Sequence, residues 1–203
     1  MIGGGSSLKG FDFESIRPYR SIGCNAAWKN SPDICLFTDH RYSDLVRESE
    51  EWSRTKTILL FHECNKQYAE KYPGTYWLKI QQREHWGSKL EHGIRGLNNT
   101  GASAVNLADV LGCNPIFLLG FDMTRGEGKA THYHDEYPNT FKQGADIYRR
   151  FQQSFEEFAA KNCRAKIFNL SPISTLECFP KITVEKALRV AAKKLSEKRL
   201  ATA

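Results

Sequence analysis

The chain has 203 residues, 40% of them hydrophobic and 26% charged, with a formal net charge of +6. These values suit one soluble globular domain, with at most an appendage, and no apolar run nears the ~20 residues of a membrane-spanning helix. No secretory leader is visible, and the six cysteines, at 24, 35, 64, 113, 163 and 178, show neither a CxxC pair nor metal-ligand spacing.

The cysteines therefore read as reduced, mostly buried thiols of a cytoplasmic protein. The positive charge fits a phosphate-bearing substrate as well as nucleic acid. Much of the excess sits in the last segment, so nucleic acid is not the expected partner.

The first eight residues, MIGGGSSL, form a glycine-rich turn. Glycines permit positive φ and leave room for a phosphate against bare N–H groups, with Ser6 and Ser7 as further donors. The strand expected before such a turn is reduced to Met1-Ile2. Residues 21–24 predict a strand ending at Asn25, and 25–28 the start of a helix. Residues 33–37 predict a strand closed by Thr38-Asp39, and residues 57–61 one closed by His62-Glu63. Residues 76–80 read as a strand or sheet edge. Residues 84–95 read as a loop whose His85, Trp86 and His92 line or cover a site at most.

Residues 97–123 organise the rest. Asn98, Asn99 and Thr100 can cap a helix start. Ala104, Leu107, Ala108 and Leu111 recur at helical spacing. Gly112 fits a helix C-cap, and Pro115 forbids continuation. Residues 116–119, IFLL, are an uninterrupted apolar run, as in a strand covered on both faces. Gly120-Phe121-Asp122 then places a carboxylate beyond its carboxyl end. Gly101, Ala102, Ser103 and Ala104 are all small. They permit close approach of a ligand to the helix N-terminus, or equally a tight helix–sheet contact.

Apolar runs closed by polar residues and followed by helix-like segments argue for a parallel α/β sheet. They place Asn25, Asp39, His62 and Asp122 on one rim, where open α/β sheets bind ligands. Each of the four also has a plainer reading as a helix cap.

Residues 124–138 form a long polar loop, the usual place for an active-site lid. His132 and His134 flank Tyr133; in an extended segment both imidazoles point the same way. Proton transfer is the first reading, a solvated loop the second, and a metal pair with Asp135 or Glu136 the third. Ile147, Phe151, Phe155, Phe158 and Ala159 predict a core-facing amphipathic helix with no binding role. Residues 165–170 form the last strand, closed by Ser171-Pro172. Thr183 opens a helix with Val184, Ala187, Leu188, Ala191 and Leu195 on one face and a solvated basic face opposite.

Taken in order, Gly3-Gly4-Gly5-Ser6-Ser7-Leu8, Cys24-Asn25, Thr100-Gly101-Ala102-Ser103-Ala104, Leu118-Leu119-Gly120-Phe121-Asp122, the His132 loop and Asn169-Leu170-Ser171-Pro172 resemble a Rossmann-like family. It is the family called domain of unknown function 115, which includes archaeal 6-hydroxymethylpterin diphosphokinase-like proteins and bacterial and phage proteins. Its motif order is similar to that of the sialyltransferases of glycosyltransferase family 42. The resemblance spans residues 1–175.

It implies a doubly wound, mainly parallel Rossmann-like domain over residues 1–180 with a polar lid loop, followed by a basic amphipathic helix over 181–203. It implies nucleotide contacts from Gly4, Gly5, Ser6 and Asn25, and from Thr100, Gly101, Ala102 and Ser103 against base and ribose. His132 or His134 would be the base that deprotonates an acceptor hydroxyl. Tyr133 and Tyr137 are candidates to stabilise the leaving phosphate without a metal. In the diphosphokinase-like alternative, Asp39 and Asp122 would hold Mg2+ for transfer from ATP. Ser6 replaces the usual proline of the first motif.

The expected function is group transfer from a nucleotide-activated sugar. A catalytically silent nucleotide- or glycan-binding protein of a phage or surface-polysaccharide system is the third possibility. Self-association is left open.

Overall fold

The computed structural model describes residues 1–39, 42, 51, 54–62, 66, 69, 74–81, 89–95, 99–126, 131–134, 146–160 and 163–201. The apolar runs become strands β1 (Ile22–Cys24), β2 (Ile34–Phe37), β3 (Ile58–His62) and β4 (Thr75–Leu78). They form one all-parallel sheet in the order β1-β2-β3-β4, with Cys35 opposite Gly23 and Leu59. Two further parallel pairs join β5 (Ile80–Gln81) to β6 (Ile94–Arg95), and β7 (Ile116–Leu118) to β8 (Ile167–Asn169).

Ile2 ties the first sheet to the last pair. It bridges in parallel to Gly23 on one side and to Leu119 on the other. Its N–H donates to Ile22 O at 2.8 Å, and the N–H of Leu119 donates to Met1 O at 3.0 Å. The two-residue run read from the sequence thus serves as a short central strand.

Three α-helices are described: α1 (Thr100–Val110), α2 (Asp146–Ala160) and α3 (Val184–Ala201). Alternation along the strands sends successive side chains to opposite faces. Ile22, Cys24, Leu36, Leu60, Ile116 and Leu118 cluster with Val105 and Ala108 of α1 and with Phe155 and Phe158 of α2. Cys35, Phe37, Leu59 and Phe61 cluster on the other face with Ala26, Trp28, Tyr42 and Ala69. Ile2 and Leu119 meet Ala187 of α3. Covering both faces explains why these strands read as unbroken apolar runs rather than alternating ones. The architecture is α/β and compatible with a Rossmann-like fold.

Some local expectations need correction. Residues 25–30 form a 3-10 helix, whose first residue, Asn25, takes a left-handed backbone, φ 50°. Ile94 and Arg95, read as loop, pair with β5. The helix signals hold where they were sharpest. Asn99 caps α1, and Gly112 follows it at φ 76°. Among the described residues no helix is long and apolar enough to cross a membrane. Cys24 and Cys35 are buried free thiols, and burial pushes Cys24 up to about 12.

Candidate functional site

The carboxyl ends of the strand through Ile2, of β1, β2 and β7, and the start of α1 surround one cavity of about 400 Å3. Gly4, Gly5, Asn25, Asp39, Thr100, Gly101, Asp122 and His132 all line it. Polar residues far apart in the chain therefore share one crevice at the sheet rim.

The glycine turn is held by the carboxylate that closes β7. Asp122 is 2% exposed. Its Oδ2 accepts from Ser7 N–H at 2.9 Å and from Ser6 Oγ at 3.3 Å. Its Oδ1 accepts from Ser7 Oγ at 2.5 Å and from Ser171 Oγ at 2.6 Å. A Cβ on Gly5 would stand 2.4 Å from Asp122 Cγ, so a bare backbone is required for this clamp. Asp122 thus builds the wall of the cavity. Ser6 touches that carboxylate and does not line the cavity. The N–H groups of Gly3 and Gly5 are spent on Leu119 O and Gly120 O, each at 2.8 Å, which narrows the phosphate cradle expected here.

At the start of α1, Asn99 Oδ1 accepts from Gly101 N–H at 2.9 Å and Ala102 N–H at 3.4 Å. Ala102 and Ser103 are 0% and 1% exposed and lie off the cavity wall. Tight packing therefore accounts for these two small residues. Thr100 and Gly101 remain on the wall, and Thr100 Oγ1 meets Thr38 Oγ1 at 2.5 Å, tying the helix start to the end of β2.

The His132–Tyr133–His134 segment bends at Tyr133 and His134 rather than running extended. The two imidazole centroids are 5.2 Å apart, and both rings lie near Gly4, where an added Cβ would come within 3.1 Å of His132 Cδ2 and 3.9 Å of His134 Nε2. Only His132 of the two lines the cavity. Its Nδ1 lies 2.9 Å from Thr131 Oγ1, and burial lowers its pKa below the ordinary histidine value. In the tautomer in which Nδ1–H donates to the threonine, Nε2 is the acceptor nitrogen. The segment is fixed to the glycine turn by Tyr133 N–H, which donates to Gly4 O at 3.2 Å.

Tyr133 itself points away from the cavity. Its hydroxyl accepts from Asn30 Nδ2 at 2.5 Å, and its ring packs 5.9 Å from Phe13. Tyr133 does not line the cavity. Tyr137 and much of the polar loop lie outside the described residues, as do His85 and Trp86.

The phenol at the cavity comes from α2 instead. Tyr148 and Phe151 line the wall, and the Tyr148 hydroxyl is buried with no hydrogen-bond partner among the described residues. Burial raises its pKa, the Arg125 charge opposes this, and the Asp122 charge adds to it. The stripe read as purely core-facing is so only in its second half, where Phe155 and Phe158 are 0% and 1% exposed. Tyr148 lies three residues before Phe151, a helical spacing that could have flagged it.

Asn25 Oδ1 is also buried without a partner among the described residues. Asn25 and Met123, both at φ 50°, are non-glycine residues in the left-handed region, and both line the cavity. Such backbone costs about 1–3 kcal/mol per residue and tends to collect at working sites. The Asp39–Asp122 pair does not fit a magnesium ion, because both Asp122 oxygens already accept two hydrogen bonds each. Among the described residues no group of three potential ligands is arranged to hold a metal.

A larger cavity, about 520 Å3, lies at the opposite, amino ends of the strands. Its lining is mostly aliphatic, and it contains none of the residues singled out from the sequence for chemistry. No protein-family model, curated protein or solved structure matches this chain.

Proposed function

We propose that the polar cavity binds a nucleotide-activated sugar and that the protein transfers the sugar to an acceptor hydroxyl. The observation that carries this reading is the convergence of Gly4, Asn25, Thr100 and His132 on one cavity at the strands' carboxyl ends. In this reading the domain is doubly wound. Ile2 is the central strand, the crossing to β1 runs one way and the one from β7 to β8 the other. A ligand then seats where the order reverses.

The buried Asn25 carboxamide orients the nucleotide, and Thr100 and Gly101 lie along it. His132 Nε2 takes the proton of the acceptor hydroxyl. The acceptor oxygen bonds to the anomeric carbon while the bond from that carbon to the phosphate oxygen breaks. The electron pair leaves with the phosphate, and the Tyr148 hydroxyl donates to it. Burial favours the neutral forms of both groups, which are the forms these roles need. The resemblance to the family 42 sialyltransferases makes a cytidine nucleotide the first donor to try, and no step requires a metal.

Calorimetry with CMP, UDP and ATP, each with and without magnesium, tests this. Metal-independent binding of CMP or UDP is expected. Binding of ATP only with magnesium would replace the reading with diphosphoryl transfer, and binding of none would leave a protein without nucleotide chemistry.

A further inference from the structure

A third cavity, of about 420 Å3, lies where β1, β2 and β3 begin. Arg17 reaches its wall from the end of the short 3-10 helix Phe13–Ile16, Asp33 from the start of β2, and Arg54, Lys56 and Thr57 from the approach to β3. It shares no lining residue with the polar cavity at the carboxyl ends.

Charge sets the character of this cavity. Its wall carries three cations, Arg17, Arg54 and Lys56, against one carboxylate, Asp33. That carboxylate is already answered. Its Oδ1 accepts from Arg20 Nη1 at 2.9 Å, and its Oδ2 accepts from Ser21 N–H at 2.8 Å and Ser21 Oγ at 3.3 Å. Arg17 is answered in turn by Glu14, at 2.8 Å. Arg54 and Lys56 form no ion pair among the described residues, so two positive charges are left over at one cavity. Beside them the wall holds a polar group that the fold leaves unserved. Thr57 is 4% exposed, and its hydroxyl is buried with no hydrogen-bond partner among the described residues. Its N–H is taken, donating to Thr55 Oγ1 at 3.1 Å. Leaving a buried hydroxyl without a partner is unfavourable, and a ligand oxygen beside it would supply one.

We propose that this cavity binds the phosphate group of a small phosphate monoester. Arg54 and Lys56 neutralise the dianion, and the Thr57 hydroxyl donates to one of its oxygens. A phosphate monoester carries close to two negative charges at neutral pH, which matches the two unanswered cations; a carboxylate or a sulfate ester carries one. The arginine fork suits paired phosphate oxygens, and the lysine adds a point charge. The organic part of the ligand lies along Phe13, Ile16 and Pro32, the apolar share of the same wall. Arg54 and Lys56 are both exposed, so salt screens their pull and affinity falls as ionic strength rises.

The test titrates phenyl phosphate into the full chain at low ionic strength and follows the backbone amides by NMR. Phenyl sulfate, of nearly the same shape but singly charged, is the comparison. Phenyl phosphate is expected to shift the Ser31, Arg54 and Thr57 amides and to bind roughly fivefold or more tightly than phenyl sulfate. Arg54→Gln and Lys56→Gln should each weaken it by roughly five- to tenfold. Thr57→Val should weaken it by about threefold while the Tm without ligand stays level or rises, a split that a hydroxyl serving only the fold would not give. Shifts confined to Thr100 and Gly101 overturn the proposal in favour of the polar cavity. Equal binding of the two probes, unaltered affinity in both charge variants, or no binding of phenyl phosphate also overturns it.

Discussion

The two ends of the parallel strands differ in the character of what they enclose. At the carboxyl end the cavity is walled by polar side chains that include Asn25, Asp39, Thr100 and His132. At the amino end the same strands begin among aliphatic residues such as Ile22, Ile34, Ile58 and Ile116, and the cavity is walled by them. Cavity size alone would select the second as the place of chemistry. The donor and acceptor inventory favours the first for the proposed group transfer, which needs groups that move protons and stabilise charge.

The sharpest way to break this contrast is His132→Ala. If proton transfer belongs to the polar end, turnover should fall about 10²–10⁴-fold while calorimetric nucleotide affinity stays nearly intact. His134→Ala should do much less, since His134 lies off the cavity wall. On the proposed function, kcat/KM of the unsubstituted protein should be lost as pH falls through a value below the ordinary histidine range, the direction set by burial of His132. An unchanged rate in both variants would remove the base.

Asp122→Ala comes next and tests construction rather than chemistry. It strands four donors around a buried site, so thermal unfolding should show a loss of about 3 kcal/mol, or ~6–12 °C. A stable variant with normal nucleotide binding would mean that the clamp does not shape the cavity.

The amino end has its own signature. The Met1 amine is depressed, so its folded form favours the neutral state and the unfolded chain binds more protons. Stability contributed there is complete above pH ~8 and is lost as pH falls towards about 6, by about 2–3 kcal/mol for a shift of this size. Denaturant unfolding across that window checks it, with an Nα-acetylated chain, which carries no such charge, as the comparison. The smallest expected effect is that of Tyr148→Phe. Turnover should fall roughly tenfold with no loss of Tm, because the hydroxyl removed has no partner among the described residues.

The sequence was most legible where covalent habits are strict. An asparagine cap, a C-cap glycine and apolar runs ended by polar residues located α1 and β1, β2, β3, β7 and β8 to within a residue or two. The site was legible as a rim, since the rule that ligands sit at strand carboxyl ends needs only the order of elements. Direction was harder to read. Tyr133 and His132 are adjacent, and which one faced inward depended on how Gly4 O captures the Tyr133 N–H. Tyr148 was hidden because one helical stripe serves two environments, core at Phe155 and cavity at Phe151. Asp122 looked like a ligand because its hydroxyl partners, Ser6, Ser7 and Ser171, are 115 or more residues away on one side and 49 on the other.

Asn30 holds the Tyr133 hydroxyl, and the Tyr133 backbone holds the loop onto Gly4. The aim of the imidazole is therefore set from behind, by an amide that lies off the cavity wall. On the proposed function, drift at Asn30 over evolutionary time detunes proton transfer while every group facing the crevice stays unaltered, and an inspection limited to the crevice misses it.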